Sequence, residues 1–281
     1  MKIKLGLTVV ALVFVWSAAS FGQDLDIANL ILPPNTASPN ATDQATQNLD
    51  EVIDPLLDLF GFYTGGGLYH SGKVHGLGGF DVGVRVITMM ISEDQKPDLP
   101  FPSSNAVNGG VFRGMELMPL PLLQVSLGLP GNLEATGRFF TYPLGEDEKE
   151  GNITLIGLGV KYGLLQNMLL PRVAVVAAYH YLNVPEEFDF GSVNSISAAL
   201  IVSKGFPFID LYGGIGVDRN TLEVDLTLPP PLGPVSKKYE KSNFRGNLGF
   251  KLKPFPLLFI HVDYNFGSVQ GFNAGLGLSF R

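Results

Sequence analysis

From about Gly78 to the C-terminus, apolar residues recur at every second position, the period of an extended strand with one apolar face. The pattern is cleanest at the end of the chain. There Phe272, Ala274, Leu276, Leu278 and Phe280 fall on one face, and Asn273, Gly275, Gly277 and Ser279 on the other. The same alternation sets Phe80, Val82, Val84 and Val86 against Asp81, Gly83 and Arg85, and Leu123, Val125 and Leu127 against Gln124 and Ser126. It sets Leu133, Ala135 and Phe139 against Glu134 and Arg138, and Ile156, Leu158, Val160 and Tyr162 against Gly157, Gly159 and Lys161. Further on, Ile209, Leu211, Ile215 and Val217 oppose Asp210, Tyr212 and Asp218, and Phe244, Leu248, Phe250 and Leu252 oppose Arg245, Asn247 and Lys251. Finally Leu258, Ile260, Val262 and Tyr264 oppose His261 and Asp263. Runs 171–182 and 192–203 are apolar on both faces, which leaves their register open.

Connections between these runs alternate in length. Pro130-Gly131-Asn132, Lys204-Gly205-Phe206-Pro207 and Lys253-Pro254-Phe255-Pro256 are tight; 92–108, 143–150, 183–189 and 227–240 are longer and more polar. Leu164 to Leu170 is a longer turn on the short side, read as a helical turn. Short inner turns and long outer loops, with one apolar strand face, define an antiparallel transmembrane β-barrel of the outer membrane. Ten strands are clear, the first near residue 78. The segment 60–70 is either an eleventh strand, a hatch inside the lumen, or the partner of a strand in 109–118 that would raise the count to twelve. The expected fold is therefore all-β, with 10–12 strands and a short N-terminal helix or hatch.

Upstream the period changes. Leu49, Val52, Ile53, Leu56 and Leu57 are spaced as on one helix face, with Pro55 placed to break or bend it. The expected layout is a signal peptide over 1–22, a flexible lead-in over 23–46, a helix and hatch over 47–77, and the barrel over 78–281. Lys2 and Lys4, the apolar run Leu5–Val15 and the small residues of 17–22 carry the first assignment.

Composition agrees. The chain is 46% hydrophobic yet only 16% charged, without the long apolar runs that helical membrane spans need. It has no cysteine, hence no disulfide, thiolate site or lipid-modified N-terminal Cys. A net charge of −7 and no basic cluster give no nucleic-acid footprint.

Gly65-Gly66-Gly67-Leu68-Tyr69-His70-Ser71-Gly72-Lys73-Val74-His75, followed by Gly79-Phe80-Asp81, resembles the start of an uncharacterised family of bacterial outer-membrane barrels. Pro121 to Pro130 is similar to that family's Gln-containing second strand. The resemblance implies a barrel but no activity. A barrel with an N-terminal hatch is also distantly similar to the fatty-acid and hydrocarbon channels, although this shorter chain lacks their Asn-Pro-Ala hatch motif.

The alternation puts Asp81, Arg85, Glu134, Arg138, Lys161, Asp210, Asp218, Arg245, Lys251, His261 and Asp263 on the lumen side. They could line a permeation path, or pair with one another and fill a narrow barrel. The expected function is a channel or binding protein for a small apolar or amphipathic solute. The alternative is a plugged structural or interaction barrel of the envelope, and third comes a lipid-modifying enzyme. For the last, His180 beside Tyr179 and Tyr181, and His261 with Asp263 two residues on, are the candidate bases, but no Gly-x-Ser-x-Gly motif accompanies them. No cofactor is expected, and His70 and His75 lack the spacing of a metal site. The expected partners are outer-membrane lipid, the barrel-assembly machinery through the C-terminal strand, and a hydrophobic small molecule.

Overall fold

The computed structural model describes residues 33, 35–95, 116–143, 152–167, 169–183, 190–228 and 230–280; the signal-peptide assignment lies outside them. Ten strands form the barrel: β1 (Phe80–Met90), β2 (Leu117–Leu129), β3 (Leu133–Pro143), β4 (Asn152–Leu165), β5 (Arg172–Asn183), β6 (Phe190–Gly205), β7 (Ile209–Leu228), β8 (Gly233–Leu252), β9 (Leu258–Gly267) and β10 (Gly271–Phe280). Each pairs antiparallel with its neighbours in sequence, and β1 closes the barrel on β10. At that seam Phe80 lies opposite Phe280, Asp81 opposite Ser279 and Arg85 opposite Gly275.

Closure removes every sheet edge, and alternation sorts the side chains. Leu158, Ile196, Ile215, Leu248 and Leu276 are exposed on the outside, while Asp81, Arg85, His180, Asp210 and Asn273 are buried inside. A continuous apolar exterior of this kind suits lipid rather than water. The two runs of open register resolve in the same way. Ala174, Val176, Ala178 and His180 of β5 face the lumen, as do Val193, Ser195, Ser197, Ala199, Ile201 and Ser203 of β6.

The strand count is ten, within the expected 10–12: residues 60–70 form no strand but the last turns of a helix and an irregular stretch, all buried, and 109–115 of the possible further strand lie outside the described residues. Two other expectations change. Residues 234–240, expected within the outer loop 227–240, and residues 219–226, beyond the expected run 209–218, extend β7 and β8 into a hairpin paired from Ile209↔Leu252 to Leu228↔Gly233. At about 3.3 Å per residue, a 20-residue strand is far longer than the 9–11 residues that span a bilayer, so the hairpin projects beyond the outer rim. Its Leu222, Val224 and Leu228 are buried, because there is a helix for them to pack on. The inner turn between β4 and β5 contains no helical turn among its described residues.

That helix, α1 (Ala41–Gly65), is longer than the 3.6-residue pattern suggested and begins inside the expected lead-in. Pro55 does not end it, since Pro55 is itself buried and its neighbours Ile53 and Leu57 are held by the wall. Packing outweighs the loss of one backbone hydrogen bond. At 1.5 Å per residue the helix is about 38 Å long, enough to run through the barrel from one rim toward the other.

Candidate functional site: the filled lumen

Below the outer rim the lumen is apolar. Ala41, Ala45, Leu49, Ile53 and Leu57, four residues apart, form one stripe of α1. The stripe shares a buried cluster with Val193, Leu222, Val224, Leu228 and Leu232, and with Ile87, Met89, Met118 and Leu122. Each fully buried Leu or Ile contributes roughly 1.5–3 kcal/mol. Charge flanks the stripe on the hairpin side. Lys237 Nζ lies 2.6 Å from Asp50 Oδ1, which also accepts from Tyr239 at 2.7 Å. Lys241 Nζ lies 2.6 Å from Asp54 and 2.9 Å from Asp58.

Deeper in, the wall turns polar and the helix turns to glycine. A Cβ on Gly61 would stand 2.2 Å from Asn220 Nδ2, and one on Gly65 would stand 2.3 Å from Asp218 Oδ1 and 2.5 Å from Arg245 Nη2. Absence of a side chain at these two positions lets α1 lie directly on β7 and β8. Asn220 donates to the Leu57 carbonyl at 3.2 Å, and Arg245 Nε lies 3.2 Å from Asp218. The helix has no basic residue in its last turn. Arg138 of β3 supplies that charge from the wall: Nη1 donates to the Thr64 carbonyl at 2.6 Å and Nη2 to the Gly66 carbonyl at 2.7 Å. Thr64 Oγ1 also meets Ser195 Oγ at 2.9 Å, and Tyr63 donates to the Met118 carbonyl at 2.8 Å.

The irregular stretch 66–79 then crosses the charged layer. Tyr69 donates to Asn247 at 2.7 Å. His70 Nε2 lies 3.2 Å from Asp81, and Asp81 accepts from Arg85 at 2.7 Å. The His70 ring stacks on Phe259 at 4.8 Å, and Lys251 Nζ and the Arg85 guanidinium sit over the same phenyl ring at 4.2 and 5.0 Å. Tyr212 donates to Asp263 at 2.8 Å, and the other carboxylate oxygen accepts from Asn265 and Asn273. His261 Nδ1 is 3.6 Å from Asp263, beyond hydrogen-bond distance, so the expected imidazole–carboxylate pair is not made: Tyr212 and two asparagines occupy the carboxylate.

At the inner mouth Gly72 donates to Ser203 at 2.8 Å and Val74 to Gln166 at 3.0 Å. His75 Nδ1 lies 2.7 Å from Glu134, whose other oxygen lies 2.7 Å from Lys161; His75 Nε2 lies 3.0 Å from Ser279 Oγ. Asp210 pairs with Lys253 at 2.5 Å.

All the sequence-predicted lumen residues are buried inside the barrel, but they do not form one site. Arg85, Lys251 and His261 gather around Phe259 with Asp81 bound to Arg85, Asp263 is held by Tyr212 and two asparagines, Arg245 pairs with Asp218, Asp210 with Lys253, Arg138 holds the helix end, and Glu134 with Lys161 holds the inner mouth. Tyr69, His70, His75, Gln166 and Asn220 were missed as wall contacts, because their partners lie far away in sequence. The one available signal was the glycine run 65–67, which marks close backbone approach. Among the described residues no group of three His, Asp or Glu side chains could hold a metal.

A closed antiparallel barrel with an apolar exterior, and an interior part apolar and part polar that is occupied by its own N-terminal helix, defines an outer-membrane β-barrel protein. The chain belongs to a family of unknown function (DUF6588), which it matches over residues 1–99 and 97–280. No curated protein matches it. Similar solved structures include Ail, the attachment invasion locus protein of Yersinia pestis, in complex with the heparin analogue sucrose octasulfate (12% identity, 72% of this chain and 97% of that one, TM-score 0.29). They also include the N-terminal β-barrel domain of Pseudomonas aeruginosa OprF (14%, 53% and 95%, 0.29) and the translocator domain of the autotransporter NalP from Neisseria meningitidis (9%, 87% and 100%, 0.32).

Proposed function

We propose that the protein is a self-plugged structural or interaction barrel of the outer membrane, whose lumen stays sealed by residues 41–79. One observation carries this reading. The apolar half of the lumen, which an apolar solute would need, is already covered by Ala45, Leu49, Ile53 and Leu57 of the protein's own helix. The other half combines paired charges and amides, a poor path for an apolar solute, with a small second apolar cluster of Val176, Ala178, Ala199 and Ile201 that is already shared with Leu68 and Tyr69 of the same segment. Passage of any solute would require the plug to move, and among the described residues the projecting β7–β8 hairpin is the part open to partners.

The test is conductance. Full-length protein in planar bilayers is expected to be silent, whereas a variant lacking residues 41–66 conducts. Faster migration of unboiled than boiled protein on a denaturing gel verifies that each variant is a folded barrel. Steady conductance or liposome uptake of an alkane or fatty acid by the full-length protein would overturn the sealed reading in favour of a channel.

A further inference from the structure

The direction in which the plug runs has a consequence for the side of the membrane on which it starts. Phe80 and Phe280, the first residue of β1 and the last of β10, face each other at one rim. The tight turns between β2 and β3, β6 and β7, and β8 and β9 lie at that same rim, fixed there by the antiparallel order. The six-residue β4–β5 connection lies there too, whereas the two longest connections, 91–116 and 144–151, and the β7–β8 hairpin lie at the other rim, together with the three-residue β9–β10 turn. Outer-membrane barrels place short turns in the periplasm and long loops outside. The Phe80/Phe280 rim is therefore periplasmic.

Helix α1 starts at the opposite rim. Ala41 and Ala45 are buried in one cluster with Leu228 and Leu232 at the hairpin tip and with Ile91 and Met118 at the loop ends of β1 and β2. From there the contacts descend in order: Asp50 to Lys237, Asp54 and Asp58 to Lys241, Leu57 to Asn220, Gly65 beside Asp218, Gly72 to Ser203, and His75 to Ser279. Residues 57–72 are all buried, so the segment has no side exit. It makes a single pass and enters β1 at the periplasmic rim.

We infer that the chain enters its own barrel from the cell exterior, so that Asn35–Asn40, joined to the start of α1, stand outside the cell although the C-terminal strand ends in the periplasm. The pore would then work as an anchor that displays the segment Asn35–Asn40 on the cell surface. Such a display function is separate from the seal: it holds whether or not the plug ever moves. Assembly must either thread this segment outward or close the strands around it.

The native chain has no cysteine, so every reactive thiol is an introduced one. Single variants of the full-length protein suffice: Ala37→Cys before the helix, Ser236→Cys on the outer hairpin, and Asn167→Cys in the inner turn, all three at exposed positions. Intact cells are treated with a maleimide on a polyethylene glycol too large for porins, then compared with cells whose outer membrane has been permeabilised. Ala37→Cys and Ser236→Cys should label fully on intact cells and Asn167→Cys only after permeabilisation. Labelling of Ala37→Cys only together with Asn167→Cys overturns the inference. Should the Ala37 thiol stay unreactive in both, an epitope inserted between Ser38 and Pro39 decides: antibody binding to intact cells supports surface display, and binding only after permeabilisation refutes it.

Discussion

Arg138 Nη1 donates to the main-chain carbonyl of Thr64 at 2.6 Å, so that a barrel strand caps the C-terminus of the helix inside the barrel. A helix end gathers partial negative charge on its unsatisfied carbonyls, and α1 carries no cation of its own there. The guanidinium fork spans two of these carbonyls, Thr64 and Gly66, from a fixed position on β3.

Arg138→Ala should therefore loosen the plug more than the barrel. Removing a charged donor from buried carbonyls costs roughly 2–4 kcal/mol. The expected outcome is a lower denaturation midpoint in detergent and intermittent conductance in bilayers, with heat-modifiable gel mobility retained. Arg138→Lys should recover part of the midpoint, since one ammonium cannot span both carbonyls. An unchanged midpoint and a silent bilayer for Arg138→Ala would show that the cap contributes nothing.

Gly65→Val should act on the same joint by volume. Its Cβ alone would fall within 2.5 Å of three atoms of the Asp218–Arg245 pair, both ends of which are buried and committed to each other. The helix must then lift from β7 and β8. Bilayer recordings are expected to show openings that the unmodified protein lacks, and Asp218→Ala added to Gly65→Val should restore part of the seal by making room. Persistent silence of Gly65→Val would mean that the wall yields instead.

The barrel was legible in the sequence because alternation against lipid is a local signal, repeated in strand after strand. Phe272 to Phe280 show it as plainly in the sequence as in the β10 pairing. The plug was legible only in part. Leu49, Ile53 and Leu57 gave the helix, but its start at Ala41 and its passage through Pro55 depend on a wall supplied by residues 193–232. Similarly, His70–Asp81, His75–Glu134 and Tyr69–Asn247 join a glycine-rich segment to strands 11 to 178 residues away, and no periodicity records such pairings. The inward-facing Ile87, Met89 and Leu222 were not legible for the same reason: they face the lumen because the helix is there to cover them.

The outer clamp should respond to salt where the inner contacts do not. Lys237–Asp50 and Lys241–Asp54 are partly exposed, and such pairs contribute about 0.2–1 kcal/mol each. At about 1 M salt the screening length falls to about 3 Å. A thiol placed at the buried Leu49 reports opening of this half of the helix. Leu49→Cys should react faster with a maleimide at high salt, and faster still when Asp50, Asp54 and Asp58 are changed to Asn. Rates insensitive to both would assign the hold on the upper helix to the apolar stripe alone.

Ser279, His75 and Glu134 line up as a nucleophile, a base and an orienting acid would, with contacts of 3.0 and 2.7 Å. The same three residues belong to β10, the plug and β3, and they tie these elements together where the chain leaves the lumen. Glu134 is also neutralised by Lys161 at 2.7 Å, so its charge is not reserved for the imidazole. If the arrangement is a clasp, a fluorophosphonate ester probe should leave Ser279 unlabelled, and Ser279→Ala should be nearly silent in stability, costing about one hydrogen bond, roughly 0.5–1.5 kcal/mol. Glu134→Gln should cost more, because Lys161 is then left as a buried charge without its counter-ion. Labelling of Ser279 that is lost in His75→Ala would instead make this mouth an acyl-transfer site, and the barrel an enzyme.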